Sequence, residues 1–296
     1  MKIVFVSYLN YYNFPGGGHS YEYLHMAGAF QDMGHTVIFV DSQQPDPATR
    51  TMQAVRDTGA DMVFYVPVEN EMDMALFATI PIPKAIMLPD DHWRRDYGLR
   101  LAPHVDYVLA TAPDSAQAYG AKYVPFQWGF RASLYDLPPR NRPFDMAWIG
   151  MGYGYREQYI RAIQQVGICR TFVAGQNFGR MIPSDEIPGY LVQARIGLSL
   201  SGASKDPSIK QVKTRPFEVV ASGALLLTED APGTADCFTD GIDAVVFTSL
   251  PEMIDKLFYY LTHEDQRQRI ANAGRERAFR EHTYTRRYQG LLERIA

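Results

Sequence analysis

Short runs of consecutive apolar residues alternate with amphipathic stretches from the first residue onward. The runs IVFV (3–6), TVIFV (36–40), DMVFYV (61–66), KAIMLP (84–89) and VDYVLA (105–110) are continuous instead of alternating, which predicts strands buried on both faces, as in a parallel sheet. The segments between them carry helix punctuation. YEYLHMAGAFQDMG ends on Gly34, and PDPATRTMQAVRDTG places Pro47 near a helix start and Gly59 just past its end. Strand and helix in this alternation predict a parallel α/β unit.

The pattern breaks at LYDLPPRNRPF (134–144), where three prolines and three charged residues show no apolar periodicity, the composition of a linker. It then restarts. FDMAWIG (144–150), CRTFVAG (169–175), ARIGLSLS (194–201), ALLLTED (224–230) and DAVVF (243–247) read as strands, with YREQYIRAIQQVG as a helix closed by Gly167. From SLPEMIDKLFYYLTH onward the chain is helical, and Ser249 with Glu252 makes a capping box. The expected fold is therefore α/β with two Rossmann-like domains, residues 1–137 and 144–282, and a last segment, 283–296, to be placed.

Length and composition support that division. A chain of 296 residues is long enough for two domains of roughly 100 to 150 residues. With 46% hydrophobic and 21% charged residues it is an ordinary globular composition, neither disordered nor a disulfide scaffold. Cys169 and Cys237 are its only cysteines and share no metal-ligand spacing, so a reducing, cytoplasmic setting is expected and no structural zinc. The start, MKIVFVSYLNYY, reads as a strand and not as a signal peptide. No apolar stretch approaches the roughly 20 residues of a membrane span, so no stable membrane insertion is expected. A net charge of −4 gives no global attraction to nucleic acid.

Candidate chemistry in the first half lies in two loops. NFPGGGHS follows the first strand, and Gly16, Gly17 and Gly18 would let a ligand approach the backbone before a helix N-terminus that favours an anion. With Asp41 at the end of the second strand this is similar to a dinucleotide fingerprint, but Tyr21 stands where the third glycine belongs, which leaves NAD(P) binding as an alternative only. A merely flexible loop fits as well. LPDDHW (88–93) follows the fourth strand, so Asp90, Asp91 and His92 are expected on the same sheet edge as His19, as candidate bases or proton shuttles. An ordinary acidic turn before a helix is the plainer reading.

In the second half, GMGYGYR (150–156) again joins a strand to a helix, with Gly150 and Gly152 in the loop and Arg156 in the first helical turn. A cation there opposes the helix dipole, and a bound phosphate would relieve the conflict. KTRPFEVVASGALLLTED (213–230) has the same character: Pro216 suits a helix start, Gly223 its end, and Lys213 and Arg215 flank the positive pole. Glu218 is favoured there on dipole grounds alone.

KTRPFEVVASGALLLTED, FTDGIDAVVF and IANAGRERAFREHTYTRR, taken in order, resemble the C-terminal half of GT-B glycosyltransferases, in particular the spore-maturation CgeB-like group related to the retaining GT4 families. The resemblance implies two Rossmann-like domains facing each other across a cleft, a nucleotide-sugar donor held mainly by the second, and a last helix, 283–296, returning to the first. Related enzymes bracket the donor with two glutamates, the second on the ribose. Glu218 matches that second position through its spacing to Gly223, whereas the first falls on Lys210. Arg156, Lys213 and Arg215 become candidates for the diphosphate in a metal-independent transfer, since the sequence holds no DxD. The implied activity is transfer of a sugar from a nucleotide-diphosphate sugar, UDP-sugar favoured, with no other cofactor, to an acceptor left open among small molecules, polysaccharide, protein and modified DNA. A non-catalytic nucleotide-sugar-binding module is the alternative, an NAD(P)-dependent oxidoreductase a further one.

Overall fold

A computed structural model describes residues 1–10, 18–67, 72–138, 140–203, 206 and 208–295. The chain divides into two compact units, Met1–Gln127 with Tyr284–Ala296, and Trp128–Thr283.

The first unit is built on a six-stranded sheet of β1 (Lys2–Ser7), β2 (Thr36–Asp41), β3 (Met62–Tyr65), β4 (Lys84–Leu88), β5 (Tyr107–Ala110) and β6 (Tyr123–Pro125), in the order β2-β1-β3-β4-β5-β6. Every pairing is parallel, and β3 and β4 are buried along their whole length, which is why those strands read as unbroken apolar runs. β6 has no such run, because only Val124 among its three residues is buried. The helix expected over 21–34 is present but opens as a π-helix, Glu22–Ala27, before regular α-helix over Gly28–Asp32. Helix Tyr284–Ile295 packs into this unit: Tyr288 stacks on Phe30 at 3.9 Å and its hydroxyl donates to Met26 O.

The second unit carries a five-stranded parallel sheet of β7 (Phe144–Ile149), β8 (Thr171–Ala174), β9 (Ala194–Ser199), β10 (Leu225–Glu229) and β11 (Val245–Phe247), ordered β11-β10-β9-β7-β8. At the start of helix Leu250–Thr262 the Ser249 hydroxyl accepts from Glu252 N as expected. The return arm is displaced by one residue, since the Glu252 carboxylate takes the Thr248 amide and hydroxyl.

Helix Thr214–Ala221 connects this core to the polar residues at its N-terminus. It follows Lys213 and is succeeded by Gly223 in the left-handed region (φ 74°). Its C-terminal carbonyls are taken by two arginines, Arg142 on Ser222 O and Gly223 O and Arg275 on Ala221 O, which places cations at the negative pole of the dipole. Arg142 and Tyr135 both lie in the proline-rich stretch with linker composition, and both are anchored within the second unit. The helix sits so close to β9 that a Cβ at Gly197 would lie 2.4 Å from Val219 Cγ1. Gly197→Ala is therefore expected to overpack this contact and lower stability by about 1–3 kcal/mol, read as a lower midpoint in chemical denaturation; an unchanged midpoint would contradict it.

Candidate functional site

In an open parallel sheet the ligand crevice lies beyond the strand C-termini where strand order reverses. In the second unit that point is between β7 and β9. The loops after β7, β9 and β10 meet there around two carboxylates.

Glu229, the last residue of β10, is buried, accepts from Ser201 N (2.8 Å) and from the Tyr155 hydroxyl, and pairs with Lys210 Nζ at 3.0 Å. The Tyr155 hydroxyl in turn accepts from Gly202 N at 3.0 Å. The carbonyl of that same Gly202 accepts from Arg156 Nη2 and from Lys213 Nζ (2.8 Å). Two cations thus converge on one neutral oxygen. Arg156 is itself buried, and burial depresses its pKa.

Glu218 lies on the same helix as Arg215 and is only 1% exposed. Its Oε1 accepts from the Tyr135 hydroxyl at 2.9 Å, and its Oε2 is 2.8 Å from Arg215 Nη1, in ionic contact but off hydrogen-bond alignment. Burial raises the Glu218 pKa in spite of the opposing pull of Arg215 and Tyr135, and the Tyr135 hydroxyl is pushed up by its own burial next to that carboxylate. Lys210 thus pairs with Glu229 and Arg215 with Glu218, while Arg156 and Lys213 are held on the Gly202 carbonyl.

The glycines of the loop after β7 serve close packing. A Cβ at Gly152 would come within 3.0 Å of Asn177 Cβ, and one at Gly150 within 3.3 Å of the Trp148 ring. Gly175 (φ 154°) approaches closer still, its Cβ position 1.7 Å from Gly150 O. The conflict expected for Arg156 at the helix start is met by backbone carbonyls, Gly202 O and Met151 O.

In the first unit, strand order reverses between β1 and β3. Gly16 and Gly17 lie outside the described residues, and Gly18 has a left-handed φ of 72°. His19 is exposed, with Nδ1 3.2 Å from Asn10 Oδ1. The residues after β4 divide by role. Asp91 is buried and accepts from Ser115 Oγ (2.7 Å), Tyr119 OH and Arg95 Nε (3.1 Å), a set of partners that commits it to anchoring helices Arg95–Leu101 and Ser115–Tyr119. Asp90 lines a shallow, open depression together with Pro67, Leu88, Arg94 and Tyr97. Both ring nitrogens of His92 are buried with no hydrogen-bond partner among the described residues, and burial lowers its pKa against the pull of Asp91, Asp114 and Asp90. Among the described residues no group of three or more His, Cys, Asp or Glu is placed to hold a metal ion.

A family model described as "Glycosyl transferase-like" matches residues 140–293, more than half of the chain and all of the cationic cluster. The chain belongs to the glycosyl transferase-like family. No match is found among the curated proteins. Solved structures show the fold of this glycosyltransferase along its full length. HepE of Anabaena, in complex with UDP and glucose, is 12% identical with a TM-score of 0.68, covering 100% of this chain and 99% of that one. An alpha-glucosyltransferase in complex with UDP-glucose and DNA containing an abasic site is 11% identical with a TM-score of 0.68, covering 99% and 98%. A glycosyltransferase of Rickettsia africae is 13% identical with a TM-score of 0.66, covering 99% and 97%. The glycosyltransferase therefore has the GT-B fold, two α/β domains each on a parallel sheet.

Several site residues of the glycosyltransferase carry no mark in the sequence. Tyr135 meets Glu218 across 83 positions, and Tyr155 meets Glu229 across 74. Glu229 does end a strand, the one signal that points to a crevice residue. Glu22 opens the π-helix, and its carboxyl is buried with Oε2 lacking a hydrogen-bond partner among the described residues. Burial raises its pKa from 4.5 to about 7, with Tyr8, just past β1, lowering it by hydrogen bonding and Asp90, past β4, raising it by its charge. A carboxyl with a raised folded pKa adds stability fully below the unfolded value of 4.5, and that stability is lost as pH rises through about 7. Glu22→Gln is expected to remove that loss, about 3 kcal/mol across the interval, and so to flatten the melting midpoint between these pH values. A wild-type slope in the variant would refute it.

Proposed function

We propose that this glycosyltransferase takes its sugar from a nucleotide-diphosphate donor bound at the β7/β9 switch point of the second unit, with Arg156, Lys213 and Arg215 neutralising the diphosphate. The observation that carries this reading is the convergence of Arg156 and Lys213 on the single carbonyl of Gly202. Two cations sharing a neutral acceptor repel each other, and a dianionic diphosphate beside them turns that repulsion into charge-assisted hydrogen bonding. As the bond between sugar and diphosphate breaks, negative charge grows on the leaving oxygen, so the same side chains stabilise the transition state more than the ground state. Glu218 orients Arg215, and a direct contact to the donor ribose requires Tyr135 or Arg215 to yield. HepE and the alpha-glucosyltransferase, whose structures hold UDP or UDP-glucose, support a UDP-sugar.

The cations supply the charge that a divalent metal supplies in other transferases, so transfer is expected to persist in EDTA. The test is a thermal-shift series with UDP, UDP-glucose, GDP-mannose and NADP, followed by measurement of UDP release. A raised melting midpoint with UDP or UDP-glucose and none with NADP supports the reading. Stabilisation by NADP alone, or by none of the four, overturns it. Binding without release of UDP in the presence of sugar acceptors would favour the non-catalytic binding module, the reading that Lys210 in place of a donor-facing carboxylate keeps open.

A further inference from the structure

Arg156 Nη2 and Lys213 Nζ both donate to the Gly202 carbonyl, so the direction of one backbone oxygen decides where two of the three proposed donor-site cations point. Gly202 lies three residues past β9, beyond that strand's ladder. Its amide donates instead to the Tyr155 hydroxyl at 3.0 Å, while Ser201 N donates to Glu229 Oε2 at 2.8 Å and Ala203 N to Ile209 O at 2.7 Å. Successive amides are held, the middle one by a side chain. Tyr155 and Arg156 are the first two residues of helix Tyr155–Val166, and they grip Gly202 together, the tyrosine by its N–H and the arginine by its C=O. The Tyr155 hydroxyl has a single proton, which goes to Glu229 and leaves its lone pairs for Gly202 N. Burial and then the neighbouring Glu229 carboxylate raise its pKa, so it keeps that proton. Glu229 is buried at the end of β10 and paired with Lys210. A strand end thus holds the tyrosine, and the tyrosine holds the loop.

We propose that Tyr155 is a positioning residue for the transfer, its hydroxyl fixing Gly202 so that the carbonyl holds Arg156 and Lys213 in the direction of the diphosphate. This role rests on the donor site proposed above and acts through Gly202, not on the donor itself. Charge that stabilises a leaving oxygen has to be aimed before the bond breaks, because reorienting it during the reaction costs part of what it contributes. Tyr155→Phe isolates the hydroxyl. The ring keeps its edge contact with Tyr159, at 5.0 Å between centres, and Glu229 keeps Ser201 N and Lys210. Gly202 N loses the acceptor that the hydroxyl provides, so the loop stays attached while its carbonyl loses direction.

The test compares the full-length wild type, Tyr155→Phe, Lys213→Ala and the double variant, each kept below its melting midpoint. One measurement needs no donor: NMR of the lysine ammonium groups, with the Lys213 signal assigned by its absence from Lys213→Ala. Its protons are expected to exchange with water roughly tenfold faster in Tyr155→Phe than in wild type, the scale of one lost hydrogen bond. The other is kcat for UDP release from UDP-glucose. Tyr155→Phe is expected to lower it roughly tenfold in the wild-type background but less than about threefold in Lys213→Ala, where part of what the hydroxyl orients has gone. A tyrosine that merely supports the loop would give the same fall in both backgrounds. Equal falls overturn the proposal, and so does Lys213 exchange unchanged by Tyr155→Phe. If exchange rises in Tyr155→Phe while the wild type neither binds UDP nor releases it from UDP-glucose, the donor reading falls and the positioning of Lys213 by Tyr155 stands.

Discussion

Lys213→Ala is expected to lower kcat by roughly 10²–10³-fold, the scale on which single donors to a developing oxyanion act, while the melting midpoint changes little. Lys213 sits at the cap position before helix Thr214–Ala221, is partly exposed, and donates to Gly202 O, an oxygen that Arg156 also holds. Removing the lysine therefore leaves the loop pinned by Arg156 and removes one of the three charges proposed to face the diphosphate. The defect should appear in kcat as well as in KM, because the interaction strengthens as the leaving group gains charge. Steady-state measurement of UDP release from UDP-glucose decides it. A rise in KM with kcat unchanged would mean that Lys213 contributes ground-state binding only.

Glu218→Ala is expected to be the most destabilising single change at the site, by about 3–5 kcal/mol, the range for removing one partner of a buried ion pair. The alanine leaves the half-buried Arg215 guanidinium without the carboxylate it pairs with, and removes the acceptor that the buried Tyr135 hydroxyl uses. Glu218→Gln separates fold from function: the amide keeps an oxygen for the Tyr135 hydroxyl but loses the charge that holds Arg215. It should recover part of the stability and still bind UDP more weakly than wild type. Chemical denaturation and UDP titration of the two variants provide the check. UDP affinity unchanged in Glu218→Gln would detach Glu218 from the donor.

Much of the architecture was legible because ten of the eleven strands among the described residues coincide with runs read from the sequence; burial on both faces explains this for β3 and β4, whereas β2 and β8 are only partly buried. The boundary of the helix at 214–221 was legible for a different reason, since Pro216 and Gly223 mark its ends through backbone conformation. The cations at its start were visible as a conflict with the dipole. What the conflict could not disclose was the neutral oxygen that Lys213 shares with Arg156, because Gly202 reaches Arg156 over 46 positions and no periodicity links the two. Asp90, Asp91 and His92 illustrate the same limit within three residues. They are equivalent in sequence, yet Asp91 is enclosed by partners from two helices, Asp90 opens onto a shallow depression, and His92 buries two nitrogens with no hydrogen-bond partner among the described residues. The π-helix at Glu22 left no trace in the pattern, as it shifts hydrogen bonds without changing residue types.

In the proposed donor site the Gly202 carbonyl is, for Arg156 and Lys213, a stand-in for a phosphate oxygen. Two long side chains, each with about 2 kcal/mol of rotamer entropy, are already fixed in direction by it before any donor arrives. On that proposal a diphosphate meets cations already ordered by the fold, so the cost of freezing them falls on folding and not on binding. Uridine, which has no phosphate to replace that oxygen, should gain nothing from this arrangement.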